Sequence, residues 1–142
     1  MSFEVRIPGP PIGKGRPRAT VRGGHVRTYT PKRTAQWEAR AAVVISDAWG
    51  NGAPLDGAVA VEIIALFPRP GRLVWKRKPM PREPHISSPD VDNIVKAVLD
   101  ATEKAGVVRN DRIVFAVRVE KWYCSGEESP GVLLRVYGPG EW

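Results

Sequence analysis

The sequence has few of the features that identify secreted, membrane or disulfide-bonded proteins. Its one cysteine, Cys124, can form no internal disulfide, so nothing requires an oxidising compartment. No apolar run approaches the roughly 18–20 residues that cross a membrane, and the N-terminal segment MSFEVRIPG lacks the apolar core of a signal peptide. Internal repeats and low-complexity tracts are also missing. We therefore expect a cytoplasmic protein without a membrane segment.

Two common kinds of ligand site are missing as well. The glycines of GKGRPR (13–18) do not form a phosphate-binding P-loop, because no Gly-Lys-Ser/Thr sequence follows a strand. The two histidines, His25 and His85, lie in predicted loops without a partner at metal-ligand spacing, and we interpret both as incidental. The sequence therefore predicts no small-molecule cofactor.

Acidic residues are scarce relative to basic ones. Lysine and arginine number 22 against 15 acids, a net charge of +7, which favours a polyanionic partner. The excess is concentrated in residues 1–33, where Glu4 is the only acid, and in residues 69–82, which contain no acid. We predict that at least one of these segments contacts phosphate; the alternative is that both are solvated loops.

Hydrophobic periodicity predicts a single α/β domain over residues 1–142, a chain of about one domain's length. The element order β, loop, α, β, loop, α, β, β implies a mixed, α+β-like fold, with a single mixed β-sheet packed by two main helices. Its loops are the basic segments 9–30, with a candidate hairpin at Gly23-Gly24, and 68–89, which contains six prolines. Strands are predicted at 3–8, 57–67, 112–123 and 132–137, and helices between residues 30 and 50 and at about 92–105.

Local signals predict how the two helices begin. Thr30 is expected to cap the first helix, with Pro31 at its first helical position. Trp37 and Ala41 then recur at helical spacing. Asp92 is expected to cap the second helix.

The strands are predicted from their alternation. Strand 57–67 is apolar on both faces except at Glu62, so we expect it to be covered on both sides. Strand 112–123 is predicted to be half-buried, and strand 132–137 to be its antiparallel partner. The tail 138–142 is expected to fray.

The residues that suggest chemistry lie around the start of the second helix. Asp90 and Asp92 are two apart where a loop becomes a helix, so both carboxylates point to the same side if this segment is extended. Lys96 follows Asp92 by four residues and Asp100 follows Lys96 by four, so the three share one helical face. Asp111 opens the next strand and returns to the same place if that strand pairs near the helix start.

Such a cluster suits phosphodiester hydrolysis. Mg²⁺ or Mn²⁺ neutralises the phosphate, lowers the pKa of a bound water and steadies the leaving oxygen, and hard cations of this kind prefer carboxylate oxygens. A neighbouring lysine stabilises charge that develops on the phosphoryl oxygens. Clustered carboxylates also repel one another without a cation. The sequence therefore indicates a metal-assisted reaction on a phosphodiester.

The residues taken alone leave other interpretations open. Asp92 by itself is commonly no more than a helix cap. Asp92, Lys96 and Asp100 can form an exposed helical ion-pair ladder, and Asp111 can be a turn residue. A nucleotide-sugar transferase with a D-x-D motif is disfavoured, because 142 residues are too few for its nucleotide-binding fold and acceptor domain.

PDVDNIVKAVLDATEKAGVVRND (89–111) resembles the signature of the RusA family of Holliday junction resolvases. In that family a D-x-D-N-x-x-K-x-x-x-D helix is followed by a G-(x)n-D element. The upstream segments KGRPRAT and YTPKRT resemble the N-terminal half of many phage- and prophage-encoded members. The resemblance touches most of residues 12–37 and nearly all of residues 87–115.

The resemblance implies the roles of the site residues. Asp90, Asp92 and Asp111 take the metal-binding catalytic positions and Lys96 that of the catalytic lysine, while Asp100 matches a recurrent acid that is a candidate for a position behind the metal ligands. The implied fold is a compact α/β domain that dimerises and cuts four-way DNA junctions with Mg²⁺ or Mn²⁺. Many relatives have Lys or Arg directly before the D-x-D, where this chain has Ser87, Ser88 and Pro89. A phosphate contact there would have to come from Arg82 or Lys78.

The implied partner is branched DNA, whose phosphates the two basic segments would contact without reading sequence. The residues assigned to DNA binding are Lys14, Arg16, Arg18, Lys32, Arg33, Lys76, Arg77, Lys78 and Arg82. The alternative is a non-catalytic basic DNA-binding module in which the acids only cap and pair. Junction symmetry favours a homodimer; Val132, Leu134 and Val136 either line its interface or complete the core of one chain.

Overall fold

The computed structural model describes residues 2–15, 18–29, 31–74 and 80–142, with only the backbone described at 18, 20, 22 and 27–29. Two α-helices and seven strands are the main elements of this part of the chain. The strands are β1 (Ser2–Pro8), β2 (Arg18–Arg22), β3 (His25–Tyr29), β4 (Val59–Phe67), β5 (Glu83–Pro84), β6 (Val114–Tyr123) and β7 (Gly131–Tyr137), and the helices are α1 (Lys32–Trp49) and α2 (Val91–Lys104). Short 3₁₀ turns occur at Gly71–Leu73 and Asp111–Ile113.

Five strands form one mixed sheet in the order β1-β7-β4-β6-β5. Strand β7 is antiparallel to β1 and β4, and β4 is parallel to β6, so β1, β4 and β6 all run in the same direction. The predicted pairing of β7 with β6 is wrong. Residues 124–130 connect β6 to β7 and are long enough to cross the intervening strand β4, a distance of about 10 Å. Strand β7 can therefore lie between β1 and β4.

Strands β2 and β3 form a separate antiparallel hairpin. Its turn contains Gly23 and Gly24, whose φ values of +56° and +77° are those that a tight two-residue hairpin turn requires and that glycine adopts without strain. The hairpin predicted at these residues is confirmed.

Both helices pack on one face of the sheet. Strand β4 directs Val59, Val61, Ile63 and Ala65 into the core, all of them at most 3% exposed, where Ile94 of α2 also packs. The alternate positions of β4, such as Glu62 and Ile64, are only half-buried. The prediction that β4 is covered on both sides is therefore wrong over most of its length, although one mixed sheet with two main helices is confirmed.

Both helices begin one residue away from the predicted start. Helix α1 begins at Lys32, with Pro31 at the N-cap instead of the first helical position; Thr30 lies outside the described residues. Helix α2 begins at Val91, with Asp90 as its N-cap. Asp90 still has an extended backbone, but its carbonyl accepts the first helical hydrogen bond, from the Ile94 N–H at 3.1 Å. Asp92 thus lies in the first turn, and its assignment as the cap is wrong.

The last two segments also differ from expectation. Phe115 and Val117 of β6 are 58% and 40% exposed, because β5 pairs with β6 only at Trp122 and Tyr123 and leaves most of its outer edge open. The C-terminal tail, expected to fray, packs on the sheet: the Trp142 indole donates to the Ala58 carbonyl at 3.0 Å. Among the described residues, neither helix combines the length and apolar character needed to span a bilayer.

Candidate active site

Asp90 and Asp92 lie at the N-terminus of α2, where β1, β4 and β6 end. Both side chains are exposed, and the Asp90 side chain makes no capping hydrogen bond. The free N–H groups and dipole of a helix N-terminus favour negative charge. The two carboxylates are therefore available to a ligand.

Lys96 links α2 to the segment that precedes β6. Its ammonium nitrogen lies 3.3 Å from a carboxylate oxygen of Asp100, one turn further along the helix, and 3.8 Å from one of Asp111. Asp111 opens a 3₁₀ turn directly before β6. The structure thus brings Lys96, Asp100 and Asp111 together, and the helical face predicted to be shared by Lys96 and Asp100 is confirmed. In the described part of the chain, Asp90, Asp92 and Asp111 do not form a group of three acids that could hold a metal ion, so their shared site stays a prediction. The Lys96 side chain is still 55% exposed, so it can reach a ligand.

Asp100 is shared by two lysines. One carboxylate oxygen of Asp100 faces Lys96, and the other lies 3.1 Å from the ammonium nitrogen of Lys14. The same Lys14 nitrogen also lies 3.1 Å from a carboxylate oxygen of Glu38 in α1. Burial alone would lower the pKa of Lys14, but its hydrogen bonds to Asp100 and Glu38 outweigh that effect and raise it. Lys14, predicted to bind DNA, is placed in an ion-pair network with only 19% of its side chain exposed.

Two segments hold the start of α2 in position. The backbone N–H of Lys14 donates to the Asn93 carbonyl at 2.9 Å, and Gly13 lies so close to Pro89 that a Cβ at this glycine would be 2.4 Å from the proline Cβ. From β6, the Lys121 ammonium donates to the carbonyls of Ser87 and Pro89 at 2.8 and 2.7 Å. The loop that carries Asp90 is therefore held by both β6 and the segment after β1.

Sequence reasoning missed Glu38 and Lys121. Glu38 is 24 residues from its partner Lys14, and Lys121 is 32 residues from Pro89. Neither residue belongs to a motif, and only the fold brings each to the site. No signal in a single sequence identifies them.

A cleft of about 730 Å³ opens beside Pro89. Phe67 lies at the end of β4 within it, and Arg33 and Thr34 come from the first turn of α1. Its lining also includes Pro10, Pro11, Ile12, Gly13, Gly15, Pro31, Pro68 and Ser88. Because Pro89 directly precedes Asp90, the cleft opens next to the start of α2.

The other residues predicted to bind DNA have different surroundings. Lys32 and Arg33 are exposed at the start of α1. Arg82 instead forms a 2.6 Å ion pair with Glu128, and this hydrogen-bonded arginine lowers the pKa of Glu128 to about 2. Arg16, Lys76, Arg77 and Lys78 lie outside the described residues, and the side chain of Arg18 is not described.

His85 has a structural environment that the sequence did not reveal. It is 7% exposed, stacks on Phe67 with ring centroids 3.8 Å apart, and its buried Nδ1 has no hydrogen-bond partner within the described part of the chain. Burial, and secondarily the charge of Lys121, lowers the pKa of His85. The folded state therefore holds the neutral imidazole.

This burial predicts a pH-dependent stability. Below about pH 6.5, His85 binds a proton in the unfolded chain but stays neutral in the folded protein. The contribution of neutral His85 to the free energy of unfolding is therefore fully present above that pH. It falls by up to about 1.4 kcal/mol per pH unit as the pH decreases to the folded-state pKa of His85. Between pH 7.5 and 5.5, urea unfolding should show a smaller loss for His85→Phe, which keeps the stack, than for the wild type. His25→Gln, in the exposed hairpin, is the matched control. Equal losses in wild type and His85→Phe would contradict this assignment.

The family model described as endodeoxyribonuclease RusA matches residues 8–137. The crossover junction endodeoxyribonuclease RusA of Aquifex aeolicus (strain VF5) is 30% identical over 134 residues, covering 94% of this chain and 90% of the relative. The uncharacterised protein YqaN of Bacillus subtilis (strain 168) is 28% identical over 138 residues, covering 94% of this chain and 95% of the relative. With a family model that spans Asp90, Asp92, Asp100 and Asp111 and most of the sheet, this chain belongs to the RusA family of endodeoxyribonucleases.

Proposed function

We propose that the protein is a metal-dependent, structure-selective endodeoxyribonuclease that resolves Holliday junctions by paired phosphodiester hydrolysis in DNA recombination and repair. The observation that carries this proposal is the acidic start of α2, with Lys96 between Asp100 and Asp111, in a chain of the RusA family. The matched relative from Aquifex aeolicus is named a crossover junction endodeoxyribonuclease, which supports a four-way junction as the substrate. We place the reaction in the cytoplasm.

The proposed metal is Mg²⁺ or Mn²⁺, held by Asp90, Asp92 and Asp111. Within the described residues, no three His, Cys, Asp or Glu side chains form a group that could hold a metal ion. A Mg²⁺ site does not require three, because this ion usually binds one or two carboxylates together with substrate phosphate and water. Asp90 and Asp92, exposed together at the start of α2, offer such oxygens to a hard cation whose remaining ligands come from DNA and water, and the proposal adds Asp111 as a third protein ligand. When bound, such a cation supplies an activated water and neutralises the phosphate.

The chain's own residues have defined roles in this proposal. Lys96, about half exposed beside Asp111, donates to the phosphoryl oxygens as their charge increases. Asp100 holds Lys96 through its i,i+4 ion pair and ties it to Lys14. Lys32 and Arg33 are exposed at the start of α1, and Arg33 lines the cleft; both contact phosphates without reading sequence.

Assembly as a homodimer completes the proposal. A four-way junction has two equivalent strands, and two sites related by a twofold axis cut both within one binding event. Val132, Leu134 and Val136 are each at most 1% exposed and belong to the core, so the alternative that they line the dimer interface is wrong. The interface has to be formed by other residues.

The central test is cleavage of a synthetic four-way junction by the purified protein. We expect two symmetric nicks in the presence of Mg²⁺ or Mn²⁺ and intact DNA in the presence of EDTA, because the carboxylates alone cannot neutralise the phosphate. Linear duplex of the same sequence is the control substrate and should stay intact. Binding without cleavage at any concentration of either metal would instead indicate the non-catalytic DNA-binding module.

A further inference from the structure

Lys121 of β6 is a half-buried lysine that lies on the core side of the sheet. Its neighbour in the strand register is Ala65 of β4, which is fully buried in the core. An ammonium group in such a place needs hydrogen-bond partners to replace water. Among the described residues, no carboxylate forms an ion pair with Lys121. Its partners are instead backbone carbonyls of the loop before α2.

Lys121 holds alternate residues of the segment that leads to Asp90. Its backbone carbonyl accepts a hydrogen bond from the His85 N–H at 3.1 Å, and its ammonium donates to the carbonyls of Ser87 and Pro89 at 2.8 and 2.7 Å. Hydrogen bonds from a charged donor are shorter and stronger than those between neutral groups. The Pro89 carbonyl belongs to the peptide group that contains the Asp90 nitrogen, so the path of the chain is fixed up to Asp90 itself.

The segment after β1 contacts the same loop. A Cβ at Gly13 would lie 2.4 Å from the Cβ of Pro89 and 3.3 Å from that of Asn93. The first of these distances is shorter than any real contact between such atoms, so only glycine fits at position 13 while Pro89 keeps its place. The backbone N–H of the next residue, Lys14, donates to the Asn93 carbonyl at 2.9 Å. Pro89 is therefore held by hydrogen bonds from β6 and by close packing against Gly13.

The Asp90 side chain depends on this support. It is exposed and makes no capping hydrogen bond, so its position follows from the position of its backbone. Mg²⁺ demands nearly ideal octahedral geometry, and groups that orient a metal ligand strengthen binding of the metal. We propose that Lys121 is a positioning residue for the proposed cation site, which places the Asp90 carboxylate by holding the Ser87 and Pro89 carbonyls, and that Gly13 is required for the same placement. The inference rests on the proposed function and deepens it.

Mn²⁺ binding by the DNA-free protein tests the position of Asp90 without any cleavage. Electron paramagnetic resonance of free Mn²⁺ measures it at millimolar metal concentrations. Lys121→Met keeps the apolar stem but has no donor, so it should weaken Mn²⁺ binding at least about tenfold, as removal of a group that orients a metal ligand does. Lys121→Arg keeps charged donors and should stay within about threefold of the wild type. Lys104→Met, the same change at an exposed lysine in the last turn of α2, is the matched control and should bind Mn²⁺ normally.

The metal dependence of junction cleavage gives a second measurement. In Lys121→Met, the Mg²⁺ concentration for half-maximal cleavage should rise at least about tenfold, while the single-turnover rate at saturating Mg²⁺ should return to within about threefold of the wild type. The rate recovers because a bound cation holds the Asp90 carboxylate in place. Junction affinity in EDTA should not change. A loss of maximal rate or of junction affinity together with normal Mn²⁺ binding would show that Lys121 acts on the DNA directly, and would overturn the proposal.

Gly13→Ala perturbs the same loop while Lys121 stays in place, and it keeps the proposal testable if Lys121→Met does not fold. The added methyl group must displace Pro89, so Mn²⁺ binding should again weaken at least about tenfold. Gly71→Ala is the matched control, because a Cβ at Gly71 meets no atom within 4 Å, and it should bind Mn²⁺ like the wild type. Circular dichroism reports whether each variant is folded.

The outcomes separate this inference from the proposed function. Normal Mn²⁺ binding by a folded Lys121→Met or Gly13→Ala protein would overturn the inference, as would a Lys121→Arg protein that binds as weakly as Lys121→Met. A wild type that binds no Mn²⁺ would also overturn it and would leave junction cleavage to its own assay. The predicted Mn²⁺ affinities in a protein that cuts no junction would support the role of Lys121 and overturn the proposed function.

Discussion

Asp90→Asn and Asp92→Asn are each expected to abolish junction cleavage while leaving junction binding intact or tighter. Replacing a carboxylate by an amide removes an anionic ligand of the proposed cation, and with it the activation of water. The same change removes a negative charge from a surface that must approach phosphate, which favours binding. Nicking assays with Mg²⁺ and gel-shift assays in EDTA measure the two effects separately.

The fold should tolerate both substitutions. Asp90 makes no capping hydrogen bond and Asp92 lies in the first turn of α2, so neither amide breaks a contact that holds the helix. Asp56→Asn is the matched control, because Asp56 is an exposed aspartate paired with Arg109, and it should cut like the wild type. Full cleavage by either the Asp90 or the Asp92 variant would defeat the site assignment.

The sequence was most informative where local spacing determines geometry. The four-residue interval from Lys96 to Asp100 predicted a shared helical face, and the structure has the two side chains 3.3 Å apart. The apolar positions of α1 and α2 likewise predicted two helices on one sheet. These features depend on residues close in the chain, so periodicity is enough to find them.

The pairing of the strands could not be obtained in this way. The turn residues between β6 and β7 favoured a hairpin, but β7 lies between β1 and β4 because that position buries Val132, Leu134 and Val136 against the helices. Strand order is decided by the total burial of the sheet, which no local signal reports. For the same reason, the sequence did not show that one face of β4 is only half-buried over most of its length. The alternate residues of β4 looked apolar enough to be covered by a second layer of the same chain.

Contacts between residues that are far apart in the sequence could not be predicted either. Lys14 was counted among the DNA-binding residues because its neighbours are basic, yet it pairs with Glu38 and Asp100. Phe67 and His85 stack across an 18-residue separation. In each case the sequence shows the type of residue but not its partner, and the partner determines whether a charge is available to a ligand.

Lys96→Ala is expected to slow the chemical step about 10²–10³-fold with little change in junction affinity. One donor aimed at charge that develops in the transition state contributes on the order of 3–4 kcal/mol to catalysis, whereas one charge among many contributes modestly to binding. The loss of fold stability should be small, because the ion pairs of Lys96 with Asp100 and Asp111 are partly exposed and such pairs contribute about 0–1 kcal/mol. Single-turnover cleavage at saturating protein isolates the chemical step from binding. Lys104→Ala, an exposed lysine in the last turn of the same helix, is the control and should cleave at the wild-type rate. If Lys96→Ala cleaves as fast as the wild type under these conditions, the lysine serves only as the structural partner of the two carboxylates, and Asp100 has no catalytic group to position.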